Sequence, residues 1–374
     1  MLRVVKNAIG AGYCFFALLL CCMSARTVRA DEASGTWTGT VFSDLNYYYE
    51  RSTRVFLPTG GVKLEAPNGT RLHADYLLDV ITSASVAAGR TADQLHDEFR
   101  HQPQIGIGKG FDIGDARLDL DATGRYSIES DYESASATLD ASLALFEKNT
   151  ILHFSGSRLV DHSWSNSDPT FHGKIKAWAG SLSLEQVLNP TMVLTVGYQF
   201  GHQRGYLGNP YRFAQRQAAP EREHPPTLRL RHGLSGKWTA YVPNLRIAVH
   251  TLARVYIDNW GVRGLNPELR VYKEFGDLLL IRLRYRYYQQ TQADFYRTSY
   301  PRDWQGAITS DPKLAHFRSH TVGFRVELNT TFLEGTFLDF ATNGMVYLQL
   351  DRVFTGIPRY GDQINGTGGG LLRF

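Results

Sequence analysis

Apolar and polar residues alternate with a period of two along most of this chain. Between positions 116 and 129, even-numbered residues are mostly apolar and odd-numbered residues are charged or polar. The same alternation returns at 228–231, 245–250 and 279–288. Successive side chains of a β-strand point to opposite faces, so each segment predicts a strand with one apolar and one polar face.

Strand length and turn length distinguish a membrane barrel from a soluble sandwich. Many segments here reach about 12 residues, whereas strands of soluble proteins cluster near five or six. Tight turns alternate with long polar connections, the turns at 147–149, 188–190, 242–244 and 275–277 and the connections at 207–226 and 291–316. Short turns on one side and long loops on the other are typical of bacterial barrels. We therefore predict an all-β, transmembrane, antiparallel up-and-down barrel; a secreted sandwich with a dry core is the alternative fold.

Counting outward from these turns predicts sixteen strands, with fourteen to eighteen as the allowed range. The predicted segments are 38–50, 55–66, 70–82, 103–112, 115–129, 132–146, 149–162, 173–187, 191–204, 227–241, 244–258, 264–275, 277–291, 317–329, 337–354 and 366–374. An even number places both termini on the periplasmic side. The terminal Phe374 resembles the end signal that the barrel assembly machinery reads.

The N-terminus has the order of a secretory signal. Arg3 and Lys6 precede an uncharged run at 8–23, and Val28-Arg29-Ala30 precedes two acids, which predicts cleavage after Ala30. Residues 1–30 are thus expected to be a signal peptide and residues 31–374 a single barrel domain in the bacterial outer membrane. The three cysteines all lie in the signal, at Cys14, Cys21 and Cys22.

Removal of the signal changes the charge of the chain. The signal carries four of the 40 basic residues and none of the 36 acids, so 36 of each remain and the exported part is formally neutral. No basic excess is left to favour nucleic-acid binding.

Several short motifs resemble one known family. They are Tyr47-Tyr48-Tyr49-Glu50 with Arg54-Val55, the segment 79–85, the segment 127–134 and Lys148-Asn149-Thr150. The chain with these motifs resembles domain-of-unknown-function family 3570, over nearly all of its exported part. Thr82-Ser83-Ala84-Ser85 departs from the expected Ser-Gly-Ala-Ser type. The resemblance implies an exported outer-membrane barrel without an established activity. It also hints at a redox or metal-linked role, since family members are encoded near thioredoxin-like, small lipoprotein and flavin-transferase genes.

The candidate functional residues are charges that alternation places in the lumen. Glu129, Asp131 and Glu133 form an acidic cluster, with Asp119 and Asp121 lower on the same strand. Residues two apart share a face, so we expect these carboxylates to lie on one side. Three readings stay open: pairing with arginines that plugs the interior, an eyelet that sorts small charged solutes, and a hard-cation site at Glu129, Asp131 and Glu133.

The arginines at 282, 284 and 286 are weighed in the same way. Arg282, Arg284 and Arg286 either pair with luminal acids or attract phosphate or carboxylate solutes. The scattered histidines form no metal motif, and no Gly-x-Ser-x-Gly elbow is present. Gly106-Ile107-Gly108-Lys109-Gly110 lacks the Ser or Thr of a phosphate loop and is interpreted as a closely packed strand.

The resulting functional hypothesis is a non-enzymatic barrel with a charged lumen. It acts as a channel or as the membrane component of an export or redox-linked assembly. The alternatives are an outer-membrane hydrolase with an active site at the rim, and a plugged structural or adhesive barrel. No cofactor is expected. The expected partners are outer-membrane lipid, the barrel assembly machinery and a small periplasmic protein or lipoprotein.

Overall fold

A computed structural model describes residues 35–51, 53–84, 95–217, 219–356 and 361–374. The predicted signal peptide and its cleavage site fall in residues 1–34, outside the described residues. Ser85 of the family motif is also outside them, as are the side chains of the residues just before it.

Sixteen long strands and one short hairpin make up the described chain. The strands are β1 (Thr38–Glu50), β2 (Thr53–Glu65), β3 (Thr70–Ala84), β4 (Leu95–Ile113), β5 (Ala116–Ile128), β6 (Tyr132–Leu145), β7 (Thr150–Trp164), β8 (His172–Asn189), β9 (Met192–Gly205), the hairpin β10 (Phe213–Ala214) and β11 (Glu221–Arg222), β12 (Leu228–Val242), β13 (Ile247–Asp258), β14 (Arg263–Phe275), β15 (Leu279–Gln290), β16 (Phe317–Asn329), β17 (Gly344–Thr355) and β18 (Gln363–Arg373).

The sixteen long strands close into one antiparallel barrel, as predicted. Each pairs with its neighbour in sequence, β9 pairs with β12, and β18 returns to pair with β1. Phe374 extends this last pairing: its carbonyl accepts from Gly39 N at 2.8 Å, and its N–H donates to Gly39 O at 3.0 Å. No helix among the described residues is long and apolar enough to cross a membrane.

The apolar face of the strands points outward. Ile105 is 68% exposed, Leu283 60% and Leu348 58%, while their neighbours in sequence face the interior. A soluble sandwich would bury these side chains between two sheets. Outward apolar faces around a polar interior are the arrangement of a barrel in lipid.

Prolines inside the strands coincide with interrupted pairing. Pro58 of β2 lies where the register with β3 skips from Phe56 to Thr59. The β4–β5 register omits Pro103 in the same way, and the β14–β15 register omits Pro267. Proline has no N–H to donate, so each one occupies a position where a ladder hydrogen bond is missing.

Two predicted strand boundaries are wrong. The fourth strand was predicted at 103–112, but β4 begins at Leu95 and runs through Pro103. The prediction of 337–354 started too early. Residues 330–333 and 339–341 form short 3-10 turns, and β17 begins at Gly344.

The two ends of the barrel differ. The start of β1, the end of β18 and the connections 114–115, 146–149, 190–191, 243–246 and 330–343 lie at one end, called here the terminus end; the connections 206–227 and 291–316 lie at the other, the loop end. Residues 206–227 and 291–316, called here the loop cap, contain the most buried side chains among the described residues, Tyr300 and Ile308 included. They pack with Ala214, and isolated bridges join Arg216 to Tyr300 and His224 to Ile308. The loop cap is therefore a folded element with its own core.

Candidate functional site: the charged lumen

Alternation in β5 places the predicted charges in the lumen. Tyr126 and Ile128 are exposed on the outward face, and the odd-numbered positions between Arg117 and Arg125 point inward. Asp119 and Asp121 belong to this inward set. They lie on the lumen face, as the sequence indicated.

Asp119 is held between two arginines near the terminus end. Arg71 Nη1 donates to its Oδ1 at 2.7 Å, and Arg117 Nε donates to its Oδ2 at 3.0 Å. Both pairs are partly exposed to the lumen, so solvent and salt screen them and each contributes little to stability. Their effect is to fix the Asp119 carboxylate against the wall.

Asp121 takes part in a compact group of side chains. Thr123 Oγ1 donates to Asp121 Oδ1 at 3.1 Å, and His73 Nε2 lies 3.2 Å from the same hydroxyl oxygen. His73 Nδ1 is 3.8 Å from Asp121 Oδ2. A hydroxyl, an imidazole and a carboxylate thus meet in the lumen wall rather than at the rim.

The glycines of β4 make room for this network. Gly106, Gly108 and Gly110 face inward, and a Cβ built there would come within 2.1 Å of His73, 2.4 Å of Asp121 and 2.3 Å of Arg117. The charged side chains therefore lie flat across β4. The segment is a strand with close packing, as the sequence indicated.

A second acidic group lies at the loop end of the same wall. Glu98, Glu129 and Asp131 have ligand oxygens within 4.8 Å of one another and are candidate ligands for a hard cation. Burial, together with the negative charges of Glu98 and Asp131, raises the pKa of Glu129 to about 7. Arg100 partly offsets this, because its Nε is 3.7 Å from Glu129 while its Nη2 donates to Asp79 at 2.6 Å.

The structure separates Glu133 from this group. Glu133 pairs with Ile128 across β5 and β6 and shares its outward face. There it accepts from Tyr126 and lies 3.0 Å from His162 Nδ1. The expectation that Glu129, Asp131 and Glu133 share one face fails because the turn between β5 and β6 breaks the alternation. Glu98 of β4 is the third carboxylate of the cluster. The sequence analysis missed it because Glu98 lies far from Glu129 along the chain.

The predicted arginines all point into the lumen from β15, but they differ in pairing. Arg284 donates to Glu268 at 3.0 Å and to Asp351 at 3.2 Å. Among the described residues, Arg282 and Arg286 form no ion pair; both Nε atoms, and Nη2 of Arg282, are buried without a hydrogen-bond partner. Pairing thus accounts for one of the three cations.

Two further arginines were missed by sequence reasoning. Arg231 of β12 and Arg254 of β13 line a cavity of about 370 Å³ whose other walls include Ser157 and Gln199. Neither forms an ion pair within the part of the chain that is described, and Nε of Arg231 lacks a hydrogen-bond partner. The alternation at 228–231 gave a signal for Arg231, whereas Arg254 is hidden in an otherwise apolar run.

The cavities of the lumen share lining residues. A space of about 1250 Å³ at the terminus end shares Arg71 and Asp121 with one of about 400 Å³. Ser155 and Ser181 line both that space and the cavity of Arg231. Ser181 also lines a fourth cavity of about 350 Å³. Free space therefore follows the inward faces of β7, β8 and β9.

The loop cap is connected to the acidic group at the rim. The hydroxyl of Tyr211 donates to Asp131, and Arg222 donates to Asp168 at 2.8 Å. Inside the cap, Glu223 is 2% exposed and accepts from Asn209 N and Thr309 Oγ1. Burial raises the pKa of Glu223. A paired, buried carboxylate of this kind fixes the position of the loops.

Fold and lumen together define a sixteen-stranded barrel of the outer-membrane class. The family described as "Protein of unknown function (DUF3570)" matches residues 159–343, which is 185 of the 374 residues. This match confirms the predicted resemblance to that family. The matched residues begin after the motifs at 47–150 that suggested the resemblance. Among curated proteins, no match is found.

Comparison with solved structures finds similar barrels at low sequence identity. CdiB from Acinetobacter baumannii is 9% identical with a TM-score of 0.51; the match covers 90% of this chain and 60% of CdiB. The siderophore receptor PirA from Pseudomonas aeruginosa is 9% identical, with a TM-score of 0.44 and coverage of 91% and 62%. OccD3 (OpdP) from the same organism is 8% identical, with a TM-score of 0.46 and coverage of 91% and 92%. The chain thus spans about three fifths of the length of CdiB and PirA.

Proposed function

We propose that this protein is a non-enzymatic outer-membrane channel for small charged solutes. The observation that supports the proposal is the series of luminal cavities that share Arg71, Asp121, Ser155 and Ser181. A plugged barrel would fill this space with side chains. Here the charged side chains near the terminus end lie flat along the wall and leave the interior beside them free.

The charges give the proposed channel a transverse field. Acids of β3 to β6 face the lumen on one side, and arginines of β12 to β16 face it on the other. Rings and rows of charge of opposite sign orient a passing dipole and sort ions by sign. Arg231 and Arg254 are the cations best placed to meet an anion, because they line a cavity and no described acid forms an ion pair with them.

The test is the conductance and ion selectivity of the mature, refolded protein in a planar bilayer under a salt gradient. We expect stable steps, and we expect Arg231→Gln/Arg254→Gln to shift the reversal potential towards cation preference. The matched control is Arg54→Gln/Arg318→Gln, which removes two exposed charges from the outward face. A folded, heat-modifiable barrel without conductance, or a double variant with unchanged selectivity, would refute the proposal.

The proposal also includes a partner-binding surface at the terminus end. The connection between β16 and β17 exposes Phe332, Phe337 and Phe340, with Phe337 90% exposed. This apolar segment favours a second role, as the membrane component of an assembly with a small periplasmic protein or lipoprotein. The roles of Phe374 as the assembly signal and of the outer membrane as the lipid environment belong to the same proposal.

A further inference from the structure

The outward surface of β7, β8 and β9 carries a continuous group of basic side chains near the loop end. We call this group the basic belt; its members are Arg158, His162, Lys174, Lys176, His202 and Arg204. The strand registers make them neighbours: His162 pairs with Lys174, and Lys176 pairs with Arg204. Arg158 and His202 flank the same residue, Trp178, from either side. Six basic groups therefore form one surface across three strands.

The same face is apolar directly below the basic belt. Towards the terminus end, its outward positions are Phe154, Leu182, Leu184, Val196 and Tyr198, all of them exposed. Each strand thus changes from apolar to basic along a single face. A ligand that covers both parts must itself be amphiphilic, with hydrocarbon below and negative charge above.

The charges of the basic belt are largely unneutralised. His162 faces Glu133, and the guanidinium of Arg158 stacks over Trp178 at 4.4 Å. Lys174, Lys176 and Arg204 are exposed, and no ion pair to another described residue exists for them. Arg352, an outward arginine elsewhere on the barrel, instead has Asp362 at 3.2 Å. The basic belt therefore presents positive charge that an external anion could contact.

We propose that the basic belt binds the phosphate groups of a phosphorylated glycolipid in the outer leaflet, with its acyl chains on the apolar band below. Lysine and arginine side chains supply charge-assisted hydrogen bonds to phosphate oxygens. Trp178 lies where the two parts meet, at the level that amphipathic rings prefer. This site is outside the lumen, so it is independent of the channel.

The test uses the refolded mature protein in mild detergent, with diphosphoryl lipid A as the probe and native mass spectrometry as the readout. We expect wild type to retain bound lipid A and Lys176→Gln/Arg204→Gln to weaken binding at least roughly tenfold. The control Arg54→Gln/Arg318→Gln removes the same charge from other outward positions. Heat-modifiability on gels confirms that every variant is folded.

Three outcomes would overturn the proposal. They are unchanged binding by the Lys176/Arg204 variant, equal weakening by the control, and equal retention of lipid A that lacks its phosphates. Competition with phosphatidylglycerol completes the test. Displacement of lipid A at equal concentration would show general attraction to anionic lipid in place of a glycolipid site.

Discussion

The lumen faces of β6–β9 and of β12–β16 have the same alternation but carry different side chains. The first is lined mainly by small residues, namely Ser134, Ser136, Thr138, Ser155, Ser157, Ala177, Ala179, Ser181, Ser183 and Gly197. The second carries long cations, namely Arg231, Arg254, Arg270, Arg282, Arg284, Arg286 and Arg325. We call them the small wall and the arginine wall.

The difference shows how one strand pattern gives both space and charge. A sixteen-stranded barrel is wide enough for an aqueous interior, but side chains decide where that interior stays free. On the small wall, short hydroxyls and methyl groups leave the cavities open. On the arginine wall, Arg231 and Arg254 line one of these cavities. A solute would therefore travel off-centre, with serines on one side and guanidinium groups on the other.

Filling the small wall should have the largest effect. Ser181 lines three of the four cavities, so Ser181→Trp should place an indole in the path and lower single-channel conductance at least roughly tenfold. Leu182→Trp is the matched control, because Leu182 is the next residue and faces outward, 54% exposed. Full conductance of Ser181→Trp would mean that ions follow another route.

The sequence predicts more of this architecture than of the site. Period-two alternation and turn length predict all sixteen strands, because both signals depend only on residues that are neighbours in sequence. The ion pair of Arg284 with Asp351 joins residues 67 apart, and the approach of Glu98 to Glu129 depends on the stagger between β4 and β5. The register between two strands cannot be predicted from the sequence of either strand alone. For this reason the inward charges were predicted while their pairing, and the cavity of Arg231 and Arg254, were not.

Replacing Glu268, the carboxylate that pairs with two arginines of the arginine wall, should destabilise the barrel. Glu268 is nearly buried and contacts both Arg270 and Arg284. Breaking a buried ion pair leaves an uncompensated charge, so Glu268→Gln should lower the free energy of unfolding by about 3 kcal/mol. The measurement is urea unfolding in lipid vesicles.

A carboxylate on the same strand provides the control for this prediction. Glu274→Gln alters a partly exposed carboxylate that is paired with Arg246, and it should lower the free energy of unfolding far less than Glu268→Gln does, because solvent screens an exposed pair. Equal losses for the two variants would show that the buried contacts with Arg270 and Arg284 have no special weight. The arginine wall would then be held by the strands alone.

The smallest expected effect concerns the acids at the loop end, opposite the arginine wall. The pKa of Glu129 is raised from 4.5 to about 7, because burial and the negative charges of Glu98 and Asp131 disfavour ionisation. Raising the pH from 6 to 8 should therefore add negative charge there. Cation preference should rise by roughly a factor of two at low salt, where screening is weak.

The sign of the stability effect follows from the same shift. The folded protein holds this proton more tightly than the unfolded chain, so the contribution of Glu129 to stability is present below about pH 4.5 and is lost as the pH rises through about 7. Glu129→Gln should flatten the dependence of selectivity on pH between 6 and 8. Glu133→Gln is the control, because Glu133 lies on the outward face beside His162 and should leave that dependence intact. If Glu133→Gln flattened it and Glu129→Gln did not, the titrating group would lie outside the lumen.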